Sequence, residues 1–274
     1  MRLRKGLRAY LIYLMNFRSI PSRVKFRLRR EVAARLARRP LLMRNPQPLV
    51  SFTFDDFPRS ALFQGGGILR NYGLKGTFFA SLGLMGRLAP TGKIFSSEDL
   101  AEFARQEHEI GCHTFDHCHA WDTAPPEFEA SIIRNRRAVA EYLPGTDWKA
   151  LSYPISCPRP ETKRRAAKHF TCCRGGGQSF NKKTADLNHL NAFFIEQSRD
   201  DFNAIDQVIE DNVRQNGWLI FATHDVSDLP TRFGCTAKLF EKIVRSSIQS
   251  GARILPVYKA LQVVSAARQD SVAA

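Results

Sequence analysis

Two carboxylates stand side by side at the end of an apolar run. Residues 49–54 read Leu-Val-Ser-Phe-Thr-Phe, and Asp55, Asp56, Phe57 and Pro58 follow. The run has the apolar, β-branched character of a buried strand, and proline stops its regular continuation. Neighbouring strand residues point to opposite faces, so both carboxylates reach one site only where the strand is ending. Adjacent anions repel and lose hydration unless something cationic sits between or beside them. An isolated Asp-Asp pair is commonly a helix N-cap, but here a second group of residues argues for a metal. His113 and His117 are spaced so that, on a helical turn, their imidazoles share a face. With one carboxylate they form a three-ligand site that leaves positions for water and substrate. Cys112, Cys118 and His119 crowd the same loop as candidate additional ligands. Four Cys or His ligands would close the site, whereas a catalytic metal needs a vacancy, so these read better as neighbours.

The elements that must position these groups alternate in type. Strands are expected at 49–54, 76–80, 109–113, 150–153, 170–173, 190–196, 218–224 and 253–255. Helices are expected at 60–72, 96–108, 127–142, 159–169, 202–215, 238–250 and 258–267, with Ser96 and Asp99 as a capping signature. Gly65-Gly66-Gly67 lacks the Lys-Ser/Thr pair of a phosphate cradle and is read as part of a helix. Such alternation predicts an α/β fold with a parallel sheet, and the number of units favours a closed barrel. Asp55, Asp56, His113 and His224 would then gather at the C-terminal ends of the strands, the rim where such barrels keep their active sites.

Three stretches carry a family resemblance: Thr53-Phe54-Asp55-Asp56, Gly76-Thr77-Phe78-Phe79, and the run from His108 to His117. In order and spacing they resemble the polysaccharide deacetylase (NodB homology) family, over about residues 48–258. The resemblance implies a distorted (β/α) barrel and metal-dependent removal of N- or O-acetyl groups from sugars. It implies Asp56, His113 and His117 as ligands of zinc, or of another divalent metal such as cobalt or nickel. Asp55 would be the general base, His224 the general acid and Thr114 a brace for the metal-binding loop. The Tyr153-Pro154-Ile155 stretch would face substrate, with the Ile155 N–H on the oxyanion, a role indifferent to side chain. The chain also departs from the pattern. Phe57 stands where a glycine commonly follows the paired aspartates. Ser152 stands where an arginine usually orients the base, so either Arg159 or another basic residue substitutes or the base is less tuned. No Asp-Trp motif is recognisable, and Asn188-His189-Leu190-Asn191-Ala192 occupies that region.

The chemistry asks for such a set independently. An amide carbonyl is a poor electrophile, and a divalent metal both polarises it and brings the pKa of water towards about 7. A base must take the water proton, and the departing amine must be protonated, for which histidine is suited. The leading expectation is a carbohydrate deacetylase acting on an N-acetylglucosamine-containing oligosaccharide, polysaccharide or lipid-linked glycan. A metal amidohydrolase for a small non-sugar amide uses the same machinery, and a non-catalytic glycan-binding barrel is the third reading. Rim aromatics would favour sugar, with Trp121 and Trp148 as candidates.

The net charge of +15 is unevenly placed. Residues 1–44 hold 14 of the 41 basic residues and one of the 26 acids, Glu31, so the body is nearly neutral. The domains expected are therefore a basic amphipathic arm, 1–44, and a barrel, 45–274. An arm mixing Arg and Lys with bulky apolar residues suits an anionic membrane surface, while a packed extra helix is its structural alternative. No nucleic-acid motif accompanies the charge. Six cysteines without framework spacing, and no convincing signal peptide, point to free thiols in the cytoplasm, with the protein able to rest on the inner membrane face.

Overall fold

The computed structural model describes residues 22–155 and 157–270. Eight strands form one sheet: β1 (Leu49–Phe54), β2 (Thr77–Ala80), β3 (Glu109–Cys112), β4 (Ala150–Ser152), β5 (Cys172–Arg174), β6 (Phe193–Phe194), β7 (Trp218–Thr223) and β8 (Arg253–Ile254). Their order is β6-β7-β1-β2-β3-β4-β5, all pairs being parallel, and β8 pairs with the start of β1. The helices are α1 (Ser22–Arg35), α2 (Gly67–Asn71), α3 (Ser97–Gln106), α4 (Pro125–Tyr142), α5 (Pro160–Ala166), α6 (Phe202–Arg214), α7 (Ala237–Gln249) and α8 (Val257–Asp270). A π-helical stretch, Ala61–Gly66, leads into α2. The distorted (β/α) barrel fold is observed, its parallel sheet curling into a half-barrel between the edge strands β6 and β5 where a closed sheet was expected.

Both faces of β1 are buried, as parallel strands covered on both sides require. Val50, Phe52 and Phe54 pack towards Phe103, Ile209 and Phe240 of the surrounding helices. Leu49 joins a second cluster with Phe79, Ile220 and the α8 residues Ala260, Leu261 and Val264. The two hydroxyls on that second face are spent on backbone: Ser51 donates to Leu255 O and Thr53 to Phe221 O. The glycine run serves packing, not phosphate. A Cβ on Gly65 would stand 2.8 Å from the Phe54 ring, and one on Gly66 would stand 2.9 Å from His108 Nε2.

The segment 190–196, expected as one strand, is divided. Leu190 bridges Arg174, only Phe193–Phe194 is extended beside β7, and Ile195–Ser198 turns into a 3₁₀ helix. This division joins the two sheet edges, because Leu190 exchanges backbone bonds with Cys173 and Gly175 while Phe193 pairs with Phe221.

The arm does not separate from the body after residue 44. Helix α1 lies against the barrel, where Ala33 is fully buried and Arg29 makes two bonds to Asp122, 2.7 and 3.2 Å, while covering Trp121. The following strand, Pro40–Leu42, pairs antiparallel with Thr184–Asp186. Lys163 of α5 is wholly buried and ties the junction. Its Nζ donates to Ala33 O and Leu36 O, carbonyls at the end of α1 that the helix itself leaves unsatisfied, and to Asp186 Oδ2 at 2.8 Å. The packed-helix alternative therefore describes residues 22–42, and the apolar stretch 9–17 lies outside the described residues.

Replacing one partner of a buried ion pair strands the other, at a cost of roughly 3–5 kcal/mol. Lys163→Met is expected to lose about that much in chemical denaturation. Amide exchange in 24–36 should rise more than in β1 or β7, and a uniform rise would show that α1 does not depend on this lysine.

Candidate metal and catalytic site

Asp55 and Asp56 follow the last residue of β1, and the backbone there turns sharply. Asp56 and Phe57 both adopt left-handed conformations, φ 62° and 60°. This explains why glycine is usual after the paired aspartates, since a side chain at such φ is strained. Phe57 offsets the strain by burial: it is fully enclosed and packs on Phe78, Phe95 and Phe103 with centroids 4.5–5.2 Å away. The turn sends the two carboxylates to different partners.

Asp56 meets His113 and His117. Its Oδ1 lies 3.5 Å from His113 Nε2 and 3.1 Å from His117 Nε2, and the three ligand atoms fall within 4.8 Å of one another. Thr91 donates to the other oxygen, Oδ2, at 2.9 Å. Oδ1 itself is buried, with the two imidazoles facing it. His113 Nδ1 faces the carbonyl of Ser152 at 2.8 Å, and a carbonyl only accepts, so the proton is on Nδ1. Burial pulls His113 down to about 4, against the pull of Asp55 and Asp56. A neutral His113 therefore turns its Nε2 lone pair towards the lone pairs of Oδ1. Two acceptors facing each other inside a protein are stable with a cation between them, and a divalent metal fits these three donors. Burial would raise the Asp56 carboxyl, but the imidazoles of His117, His113 and His224 hold it well below the usual range.

The loop carrying the histidines is braced from within. Thr114, wholly buried at φ 58°, accepts the Cys118 N–H on its hydroxyl at 3.0 Å, which shapes the turn that presents His117 (φ 53°). Ser131 of α4 receives the Phe115 and Asp116 N–H groups, and Arg134 pairs with the Asp116 carboxylate. Cys112 accepts from Asn135, and His119 pairs with Asp122, so neither joins the metal ligands.

Asp55 is committed to Arg174. Both are buried, and the guanidinium Nη2 contacts Asp55 Oδ1 and Ser152 Oγ directly. Burial alone would raise the Asp55 carboxyl; the Arg174 guanidinium, with His113 and His224, keeps it below its ordinary value. Arg174 and Ser152 are parallel partners on β5 and β4. The arginine missing at 152 is thus supplied one strand over, at the same level of the barrel. Arg159 instead bonds the carbonyls of Trp121 and Asp122, away from the base. Sequence reasoning missed Arg174 because the pairing of β4 with β5 sets the register.

His224 follows β7 and bonds Phe233 O through Nδ1 at 3.0 Å, leaving Nε2 for the cleft. The cleft holds about 460 Å³ and brings together Asp55, Asp56, His113, His117, Tyr153, Ile155 and His224. Ile155 is half exposed in a left-handed conformation, φ 56°. Pro154 is not among the lining residues; its carbonyl accepts from Ala120 N. Trp148 is buried in the core and Trp121 lies beneath Arg29, so neither serves as a sugar platform here. Phe194 and Phe233 are the aromatic walls, and Thr91 and Glu196 line the cleft without having been singled out from the sequence.

A family model for polysaccharide deacetylases matches residues 43–173. The chitin deacetylase of the fungal pathogen Colletotrichum lindemuthianum is similar in structure, with TM-score 0.56, 17% identity, and coverage of 80% of this chain and 89% of that one. A family 4 acetyl xylan esterase of Clostridium thermocellum, in complex with a cobalt ion, has TM-score 0.53 and 19% identity over 78% of this chain and 91% of that one. A CE4 family pseudoenzyme of Bacillus anthracis, in a mutant form with restored enzymatic activity, has TM-score 0.53 and 12% identity over 78% and 68%. No curated protein sequence matches the chain. Residues 43–173 thus match the polysaccharide deacetylase family model, and the chain shares the barrel fold of these CE4 structures.

Removing Arg174 would leave the Asp55 carboxylate buried and uncompensated. Arg174→Met is expected to cost roughly 3–5 kcal/mol in chemical denaturation, and adding Asp55→Asn should recover most of it. Additive losses in the double variant would mean that the two side chains are not coupled.

Proposed function

We propose that the protein is a metal-dependent carbohydrate deacetylase that removes the acetyl group from an N-acetylated sugar. The observation that carries this reading is the convergence of Asp56 Oδ1 with two imidazole Nε2 atoms, beside an aspartate held separately by arginine. Asp56, His113 and His117 would hold a divalent metal, zinc being suited to one carboxylate and two imidazoles. When bound, such a metal polarises an acyl oxygen and makes water acidic enough to lose a proton near neutral pH. Asp55 takes that proton, and Arg174 keeps its carboxylate ionised and aimed before the step. The Ile155 N–H donates to the carbonyl oxygen as it gains charge. His224 donates a proton from Nε2 to the departing nitrogen, which cannot leave as an anion. Water and acetamide thereby become acetate and a free amine. The amidohydrolase alternative uses the same residues, and the aromatic walls Phe194 and Phe233 favour a sugar.

Purified protein is expected to bind zinc stoichiometrically and to release acetate from chitooligosaccharides. His113→Ala should lose the metal. Asp55→Asn should keep fold and metal yet lose activity by about 10²-fold or more, the scale of a general base. His224→Ala should be slow on acetamides but far less impaired on 4-nitrophenyl acetate, whose leaving group needs no proton. Near-normal turnover by Asp55→Asn would assign the base elsewhere.

The membrane-facing role of the arm is proposed for the outer side of α1. Val24 and Phe26 are exposed there beside Arg27 and Arg30. Each base near an anionic leaflet contributes about 1 kcal/mol. Among the described residues no helix is long and apolar enough to cross a membrane, so contact would be at the surface. Flotation with phosphatidylserine vesicles should fall with salt and fall further in Arg27→Glu/Arg30→Glu; unchanged binding by that variant would rule α1 out as the contact.

A further inference from the structure

Glu196 lines the cleft but takes no part in the chemistry derived above. It stands in the 3₁₀ turn Ile195–Ser198, directly after β6. The turn is held on both sides. Gln178 mimics a strand, its side-chain amide accepting from Phe194 N and donating to Phe194 O, both at 3.0 Å. Ser198 closes the other side by donating to Ile195 O at 2.7 Å. The backbone that carries the carboxyl is thus fixed on both sides.

Its surroundings ask for a partner that the protein does not provide. Glu196 Oε2 is buried and has no hydrogen-bond partner among the described residues. A buried polar atom left unpaired is costly, and this one borders the cavity that holds Asp55 and His224. The charged and titratable groups facing it are Asp55, Arg174, Asp225 and the buried Cys235 thiol, with His224 across the cleft. Burial, reinforced by the Asp55 carboxylate, pushes the Glu196 carboxyl up to about 8. Protonated, it is an uncharged acid, able to donate as well as accept.

We propose that Glu196 is a substrate-recognition residue whose carboxyl pairs with a hydroxyl of the acetylated sugar. A sugar hydroxyl also donates and accepts, so the two groups match. An anionic group at that position would meet the Asp55 and Asp225 carboxylates and be disfavoured, so the class read is a neutral, hydroxylated sugar. Gln197 lines the cleft beside it, and Phe194 and Phe233 supply apolar faces for the ring. This proposal rests on the deacetylase reading but concerns binding, and binding can be tested apart from turnover.

The zinc-loaded wild type, Glu196→Gln and Glu196→Ala are compared on N-acetylglucosamine oligomers, by acetate release and by calorimetric binding. Glu196→Ala should raise KM and the dissociation constant roughly tenfold or more, the scale of one lost buried hydrogen bond, with kcat within about threefold. Glu196→Gln cannot ionise but still donates and accepts, and should stay near wild type at pH 7. Raising the pH through about 8 ionises Glu196 in the wild type, so its KM should climb while that of Glu196→Gln does not. Equal KM in Glu196→Ala and wild type, or the same climb in wild type and Glu196→Gln, overturns the proposal. Oligomer binding weakened by Glu196→Ala without acetate release in any protein would uphold Glu196 and refute the deacetylase assignment. No oligomer binding by the wild type would overturn the role given to Glu196.

Discussion

Two negative charges on consecutive residues cannot share one environment inside a protein, and the site is organised by that constraint. The left-handed turn at Asp56 and Phe57 separates them. Asp55 goes to a guanidinium and Asp56 to a pair of imidazoles. Each carboxylate is therefore matched to a different kind of partner, one a permanent cation and one suited to share a metal. The Phe57 cluster beneath the turn and the Thr91 hydroxyl beside it hold this division in place. Ser152 connects the two halves: its carbonyl sets the His113 tautomer and its hydroxyl meets Arg174.

Much of this was legible in local patterns. The strand ending in Asp55-Asp56, the His113 to His117 spacing and the alternation of strands and helices are short-range signals, and all lie where the barrel needs them. The residues missed are those that depend on distant parts of the chain. Arg174 becomes a partner of Asp55 only through the β4–β5 register, and nothing near it in sequence marks it. Thr91 arrives from a two-stranded turn, Leu88–Ala89 with Gly92–Lys93, which has no motif. The strand expected over 190–196 was over-extended because its apolar content suits a strand, while the bridge from Leu190 to Arg174 and the 3₁₀ turn divide it. Phe57 shows the converse: a local glycine rule can be broken when packing compensates for the strained backbone.

The basic segment makes contacts that composition does not report. Its charge contrasts with the body, yet residues 22–42 are held by contacts that charge counting does not see. The decisive one is the wholly buried Lys163, which uses its donors on carbonyls at the end of α1 and on Asp186. An ammonium placed there also faces the negative end of the helix dipole, a favourable position for a cation. The exposed side of α1 keeps its arginines for other encounters.

The pairing of β1 bears on how the molecule comes together. Along its length β1 meets β7, whose residues lie some 170 positions later, and its two halves meet β2 and β8 on the other side. Loop closures of that span carry a large entropic cost before any contact rewards them, so such pairings form slowly. During synthesis the first strand must wait, its apolar faces uncovered, until residues beyond 218 have emerged. The paired aspartates at its end are therefore assembled late, after most of the chain exists. A nascent chain of this kind is exposed to misassociation for much of its synthesis and is a natural client for chaperones.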